Sequence, residues 1–170
     1  MIAGAYISDC KRYRYSLWRS WAGKAKAKDA VFIMLNPSTA DGVKDDPTIR
    51  RCIALAKSWK MNGLLVVNLF ALRATDPKRL KTAKDPVGPL NDTVIVTTVR
   101  SAKLVVCAWG NGGDLHDRDH RVLEILQNNY IEAYALEVNK TAAPKHPLYV
   151  KGSAKPKVLM SHSKSTRSKL

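Results

Sequence analysis

Four short apolar runs alternate with stretches of helical periodicity, and that alternation leaves the chain few architectures to choose from. The runs are residues 30–35 (AVFIML), 64–70 (LLVVNLF), 103–109 (KLVVCAW) and 131–138 (IEAYALEV). Runs this short and this apolar predict strands covered on both faces. After the first run, Asp46 followed by Pro47 predicts a helix cap and first helical position. Ile49, Ile53 and Ala56 then recur at helical spacing until Gly63 stops the helix. Asn91 opens a second helix with Val94, Ile95 and Val99 on one side. Residues 118–129 form a third, with Val122, Leu123, Ile125 and Leu126 facing inward. Strands alternating with helices make βαβ units. The expectation is a three-layer α/β/α domain over residues 1–150, built on a mostly parallel four-stranded central sheet. A chain of 170 residues is long enough to bury a sizeable core in one such domain.

Three segments stand outside the pattern. Residues 13–21 (YRYSLWRSW) alternate weakly and read as a leading edge strand or a helix start. Residues 71–90 are a long connection rich in Pro, Lys and Arg, of a length that is usually functional or disordered. Residues 151–170 are Ser/Lys-rich and read as a basic, flexible tail. The net charge of +15 is concentrated at the ends: residues 1–30 hold seven Lys/Arg against two Asp, and residues 151–170 hold six and no acid. Such a field attracts polyanions through counterion release, so DNA is the expected partner. A soluble basic protein with a sticky tail is the plainer reading.

Cys10, Cys52 and Cys107 show no metal-ligand spacing, which argues against a structural zinc and fits a reducing cytoplasm. No run reaches the ~18 apolar residues of a membrane span, and no signal peptide core is present. The final Ser168-Lys169-Leu170 matches a peroxisomal address, a tripeptide that a Lys/Ser-rich tail also produces by chance. His116 and His120, four apart, have the spacing of a metal pair. The acids around them equally suit the first turn of a helix, and no metal or other cofactor is expected.

Each apolar run but the last leads directly into a polar signature: LNPSTAD (35–41), VNLF (67–70) and AWGNGG (108–113); the last is followed by HPLY (146–149). In a parallel sheet the strand carboxyl ends converge on one crevice, where ligands bind. Asn36, Asn68, Asn111 and His146 would then share a pocket suited to a flat, neutral, polar ligand such as a nucleobase. Every residue has a plainer alternative. Asn36-Pro37 favours a turn, and Asp41 a turn or cap. Asn68 needs either a backbone partner or a ligand, since a buried unpaired amide is unfavourable. Trp109 is a core residue or a stacking platform. Ser38, Arg73, Lys78, Arg79, Gly110, Gly112 and Lys145 are solvated loop positions or contacts to a nucleic-acid backbone. The glycines match neither common phosphate-loop pattern.

Two resemblances can be stated on these residues. YRYSLWR, FIMLNPSTAD, DPTIRRC, VVNLFALRATDP, PVGPLND, AWGNGG and HPLY resemble, in order and over roughly residues 5–150, the bacterial and phage family known as domain of unknown function 1643. More distantly, Asn36-Pro37, Asn68, Trp109-Gly110 and His146-Pro147 resemble the ordered motifs of the uracil-DNA glycosylase superfamily. That second resemblance implies a sheet of that superfamily's kind and a role for each residue. Asn36 would position an attacking water, Asn68 would read the base edge, and Phe70 would stack on the base. His146 would donate to a base oxygen as negative charge builds on the leaving group. It implies N-glycosidase action on a uracil-like or modified base, with Asn36, Asp41 and His146 catalytic and Asn68, Phe70, Trp109 and Asn111 holding the base. Asn36 stands where the fastest members carry a carboxylate, which implies slower hydrolysis unless Asp41 or Asp45 activates the water. The His-Pro motif continues as Leu148-Tyr149 rather than as a duplex-inserting stretch. A non-catalytic DNA-binding protein and an enzyme of free nucleosides or nucleotides are the alternatives. The oligomeric state is left open.

Overall fold

The computed structural model describes residues 1–23 and 28–161. Its strands are β1 (Ile2–Ile7), β2 (Arg14–Ser20), β3 (Asp29–Met34), β4 (Gly63–Asn68), β5 (Leu104–Cys107), β6 (Ala133–Ala135) and β7 (Lys157–Met160). The helices are α1 (Pro47–Ser58), the single turn α2 (Arg79–Thr82), α3 (Asn91–Arg100) and α4 (Arg118–Asn128). All the strands join one seven-stranded sheet in the order β1-β2-β4-β3-β5-β6-β7.

The four apolar runs are its parallel centre, β4-β3-β5-β6. The sheet is larger than the four strands expected, because antiparallel strands extend both sides. Segment 13–21 supplies β2, which pairs with β1 and β4 and so lies inside the sheet rather than at its edge. Its alternation reads weakly because Arg14, Ser16 and Arg19 are buried along with Tyr15 and Leu17. On the other side β7, within the expected tail, pairs with β6 while Leu159 and Met160 pack against the core. Three apolar residues in a row, Val158 to Met160, are too few to show as a period in a Lys-rich stretch. Residues 162–170, with the terminal Ser-Lys-Leu, lie outside the described residues.

Successive side chains of a strand face opposite sides of its sheet, and here they divide the core in two. Ala30, Phe32, Leu64 and Val66 face α1 and pack on Ile49, Cys52, Leu55 and Ala56. Val31, Ile33, Val67 and Val105 face α3 and α4, against Ile95, Val99, Val122, Ile125 and Leu126. This is the expected three-layer arrangement. The Asp46 carboxylate accepts the Ile49 N–H at 2.8 Å and Pro47 starts the helix, so α1 begins where its cap chemistry requires. The long connection is ordered: Leu72, Ala74 and Leu80 are buried, and the N–H groups of Ala71 and Leu72 bond to the carbonyls of Val87 and Pro86. The histidine pair, in contrast, does not form. His116 and Asp117 have positive φ and α4 starts only at Arg118, so His116 and His120 share no helix face. No helix among the described residues is long and apolar enough to cross a membrane.

Candidate functional site

A cavity of about 540 Å³ opens at the carboxyl ends of β3, β4 and β5, on the α1 side of the sheet. Parallel register places Met34 beside Asn68, so β3 and β4 end level and their following residues form one rim. The start of α1 contributes Asp46, Thr48 and Ile49, and the loop after β5 contributes Trp109, Gly110 and Asn111. His146 comes from much later in the chain and is held there by α1 itself. Arg51 donates to the carbonyls of Pro147 and Val150 and fixes the short helical turn that His146 caps. Gly110, at φ +70°, closes the gap: a Cβ there would lie 3.5 Å from the His146 Cβ.

Asn68 forms the cavity floor. It is 1% exposed, and neither Oδ1 nor Nδ2 has a hydrogen-bond partner. Its backbone carbonyl is satisfied by the Asn91 amide at 2.9 Å, which anchors the end of β4 to α3 without engaging the side chain. Both polar atoms of the amide are enclosed. Asn36 has the opposite arrangement. Its amide nitrogen donates to the carbonyls of Ala74 at 2.8 Å and Pro37 at 3.1 Å, which uses both hydrogens. Oδ1, bonded to no described residue, is left as an acceptor only.

His146 is equally defined. Nδ1 accepts the Leu148 N–H at 3.2 Å. Burial lowers its pKa from the usual imidazole value, against the opposing pull of Asp46, so the ring is neutral at pH 7. A neutral ring with Nδ1 accepting carries its proton on Nε2, and His146 is therefore a single donor.

Two cavity residues were not legible as functional. Asp46 reads in sequence as a helix cap and is one, yet it also lines the cavity, and its second oxygen has no partner among the described residues. Arg14 reads as a strand cation. It is 2% exposed, donates through Nη1 to the Ala40 carbonyl at 2.7 Å and lines the same cavity. Burial, with repulsion from Arg73 and Arg19, draws its pKa down to about 10 while Asp46 opposes the shift, so it stays charged at neutral pH.

The other candidates distribute as follows. Ser38, Trp109, Gly110 and Asn111 line the cavity with Asn36, Asn68 and His146. The Asn111 carbonyl is already used, accepting from Thr141 at 2.6 Å and Asn139 at 3.2 Å to hold the 139–144 loop. Trp109 is 3% exposed and belongs to the core as well as to the wall. Phe70 is fully buried on the α3/α4 side and does not line the cavity: it lies two residues past the end of β4, where the alternation that would have put it beside Asn68 no longer holds. Asp41 is also outside: its carboxylate accepts the N–H groups of Val43 and Lys44, both at 2.8 Å, and these bonds lower its pKa. Asp45 is paired with Arg19 at 2.8 Å. Arg73 and Arg79 line a second, basic cleft that shares Ser38, Ala74 and Thr75 with the first cavity. Lys78 is exposed beside it, Lys145 pairs with Glu137 at 2.7 Å, and Gly112 lines a third cavity beyond Trp109. Asp117, Asp119 and His120 bring ligand atoms within 4.8 Å of one another on the surface, with Asp117 already bonded to His120 at 2.6 Å.

Among its polar groups the cavity thus brings together the unpartnered Asn68 amide, the Asn36 carbonyl acceptor, the His146 donor, the Asp46 carboxylate and the Arg14 cation. Residues 14–148 match the family described as protein of unknown function (DUF1643). The chain belongs to that family. The DUF1643 span runs from β2 to the turn after His146, and it contains every cavity residue discussed above. No curated protein and no solved structure matches the chain.

Proposed function

We propose that the cavity binds a nucleobase and that the protein is an N-glycosidase acting on a uracil-like or modified base in nucleic acid. The unpartnered amide of Asn68 carries this reading. A buried amide with neither group satisfied is unfavourable. It becomes favourable when a planar ligand presents an adjacent donor and acceptor, as a pyrimidine edge does. The order of Asn36-Pro37, Asn68, Trp109-Gly110 and His146-Pro147 along the chain, similar to that in uracil-DNA glycosylases, supports the same reading.

The chemistry follows from the groups present. A water accepted by Asn36 Oδ1 attacks the sugar carbon as the bond to the base nitrogen breaks. The bonding pair leaves with the base, and the His146 Nε2–H stabilises the resulting charge on the base oxygen. Asp46, rather than Asp41 or Asp45, is the carboxylate placed to take the proton from water or to face the developing positive charge on the sugar. Phe70 has no part in this scheme. A non-catalytic DNA-binding protein using the same cavity is the second reading, favoured by the engagement of Asp46 as the α1 cap.

Base release tests the proposal. The protein is incubated with single- and double-stranded DNA containing uracil, thymine, hydroxymethylated or further modified pyrimidines, and freed bases are measured by mass spectrometry. Release of one base, slowed about 10²-fold or more in Asn36→Ala, is expected. No release by the wild type anywhere in the panel would exclude the glycosidase, and DNA binding that still depends on Asn68 would then establish the second reading.

A further inference from the structure

Arg14 is the exception among the buried cations. Arg19 is paired with Asp45 at 2.8 Å, and Arg118 is paired with Asp92. Arg14, equally enclosed, forms no ion pair with any described carboxylate, and its Nε meets no acceptor. Leaving a buried charge unpaired is strongly unfavourable, so a position of this kind is expected to meet its counter-charge from outside the chain. A second guanidinium repeats the pattern nearby. Arg73 donates through Nη1 to the Lys11 carbonyl at 3.2 Å, and its own buried Nε has no acceptor. Of the charges acting on Arg14, Asp46 is the strongest and favours its charged form without pairing with it, while Arg73 and Arg19 oppose it.

Their placement gives the pattern a direction. Arg14 lines the cavity floored by Asn68, and Arg73 lines the adjoining cleft. The two spaces meet at Ser38, Ala74 and Thr75, so two hydroxyl groups stand at the junction. The cleft continues past Lys11, Arg12 and Arg79, and among the described residues no acidic side chain lines it. Asp46 is the one carboxylate of the first cavity and sits at the α1 wall, which biases an anion toward Arg73.

We propose that Arg14 and Arg73 form an anion subsite at the junction of the two cavities, taking the phosphate ester of the ligand whose base lies at Asn68. The base half rests on the function proposed above; the anion half stands on the two guanidinium groups alone. Guanidinium groups bind phosphate through paired, charge-assisted hydrogen bonds, which fits two Nε donors without acceptors. The phosphate belongs either to a free nucleotide or to a strand whose backbone continues along the cleft.

Two measurements on the full chain, at constant ionic strength, test this. In the first, the ³¹P line width of inorganic phosphate is followed as protein is added. Saturable broadening is expected with the wild type and with Lys103→Gln, a surface control at the opposite end of β5, and its loss is expected in Arg73→Gln. No broadening, or equal loss in both variants, would overturn the subsite and leave only diffuse charge. In the second, deoxyuridine, deoxyuridine 5′-monophosphate and the trinucleotide TpUpT are titrated calorimetrically. One phosphorylated ligand should bind at least about tenfold more tightly than the nucleoside, an advantage removed by Arg73→Gln. A preference for the monophosphate identifies a free nucleotide, and a preference for TpUpT identifies a strand. Equal affinity for all three would overturn the proposal. Arg73-dependent phosphate binding with none of the three bound would sink the base reading and leave the anion subsite standing.

Discussion

Replacing Asn68 by leucine is expected to stabilise the fold and to abolish ligand binding in the same protein. Both effects come from one arrangement. Asn68 lies on the α1-facing side of β4 with Leu64 and Val66, in a position that alternation assigns to the core. Its amide is enclosed and unsatisfied. An unmade hydrogen bond of this kind costs about 1–3 kcal/mol. Leucine has a similar volume, leaves no polar group unpaired and adds apolar contacts with Met34, Val66 and Ile49. Urea unfolding should therefore show Asn68→Leu more stable by about 1–3 kcal/mol with an unchanged dependence on denaturant. Base release should fall to background. Destabilisation by more than a kcal/mol would show that the amide has a partner within the protein, and its selection for a ligand would lose its physical basis. The trade is the one expected of a binding site: a local arrangement that weakens the empty fold and is compensated when the ligand arrives.

Asp46→Asn separates the two roles of that residue. Asparagine caps a helix about as well as aspartate, so α1 should keep its start and the protein should lose little stability. The charge facing the cavity disappears, and with it the group that accepts the proton from water in the proposed mechanism. Turnover should fall about 10²–10⁴-fold, the range associated with a positioned general base, while affinity for the free base stays close to that of the wild type. Asp46→Ala should add a loss of about 1 kcal/mol from the missing cap, measured by thermal unfolding. An active Asp46→Asn enzyme would return the carboxylate to a purely structural role. It would also leave Asn36 and His146 as the whole catalytic apparatus.

The parallel centre of the fold was legible because its strands are apolar on both faces, and α1 because its Asp46-Pro47 start is conventional; its stop was misplaced, since α1 ends at Ser58 and Gly63 instead opens β4, while α3 and α4 begin without a side-chain cap bond. Asp46-Pro47, Asn91 and Arg118 each mark a helix start within a residue of where the helix begins. Strand β2 was ambiguous for a physical reason. Its buried Arg14 and Arg19 carry charges that hydropathy assigns to solvent, and only tertiary partners make their burial tolerable. Arg19 shows how: besides Asp45, it donates to the carbonyls of Trp18 at 2.8 Å and Asp41 at 2.7 Å, tying β2 to the loop after β3. That bond also explains where Asp41 goes, since its backbone and carboxylate are both committed to the turn. Of the cavity residues that sequence picked out, Asn36, Asn68 and His146 were visible because each is polar at or near the end of an apolar run or beside a proline. Asp46 was hidden because the helix cap already explains it, and Arg14 because nothing in the sequence marks a strand arginine as buried without an ion pair.

The central claim is that Asn68 reads a base, and its side-chain amide can be observed directly. In ¹⁵N-labelled protein, the Asn68 Nδ2 resonances, assigned by their absence from Asn68→Leu, are followed while uracil, thymine, cytosine and 5-hydroxymethyluracil are each titrated in. A saturable shift of that pair with one of the bases, accompanied by the resonances of Asn36 and the His146 ring, is the predicted result. Asn68 resonances that stay in place across all four bases, while signals elsewhere in the chain move, would place the recognition site outside this cavity and contradict the account.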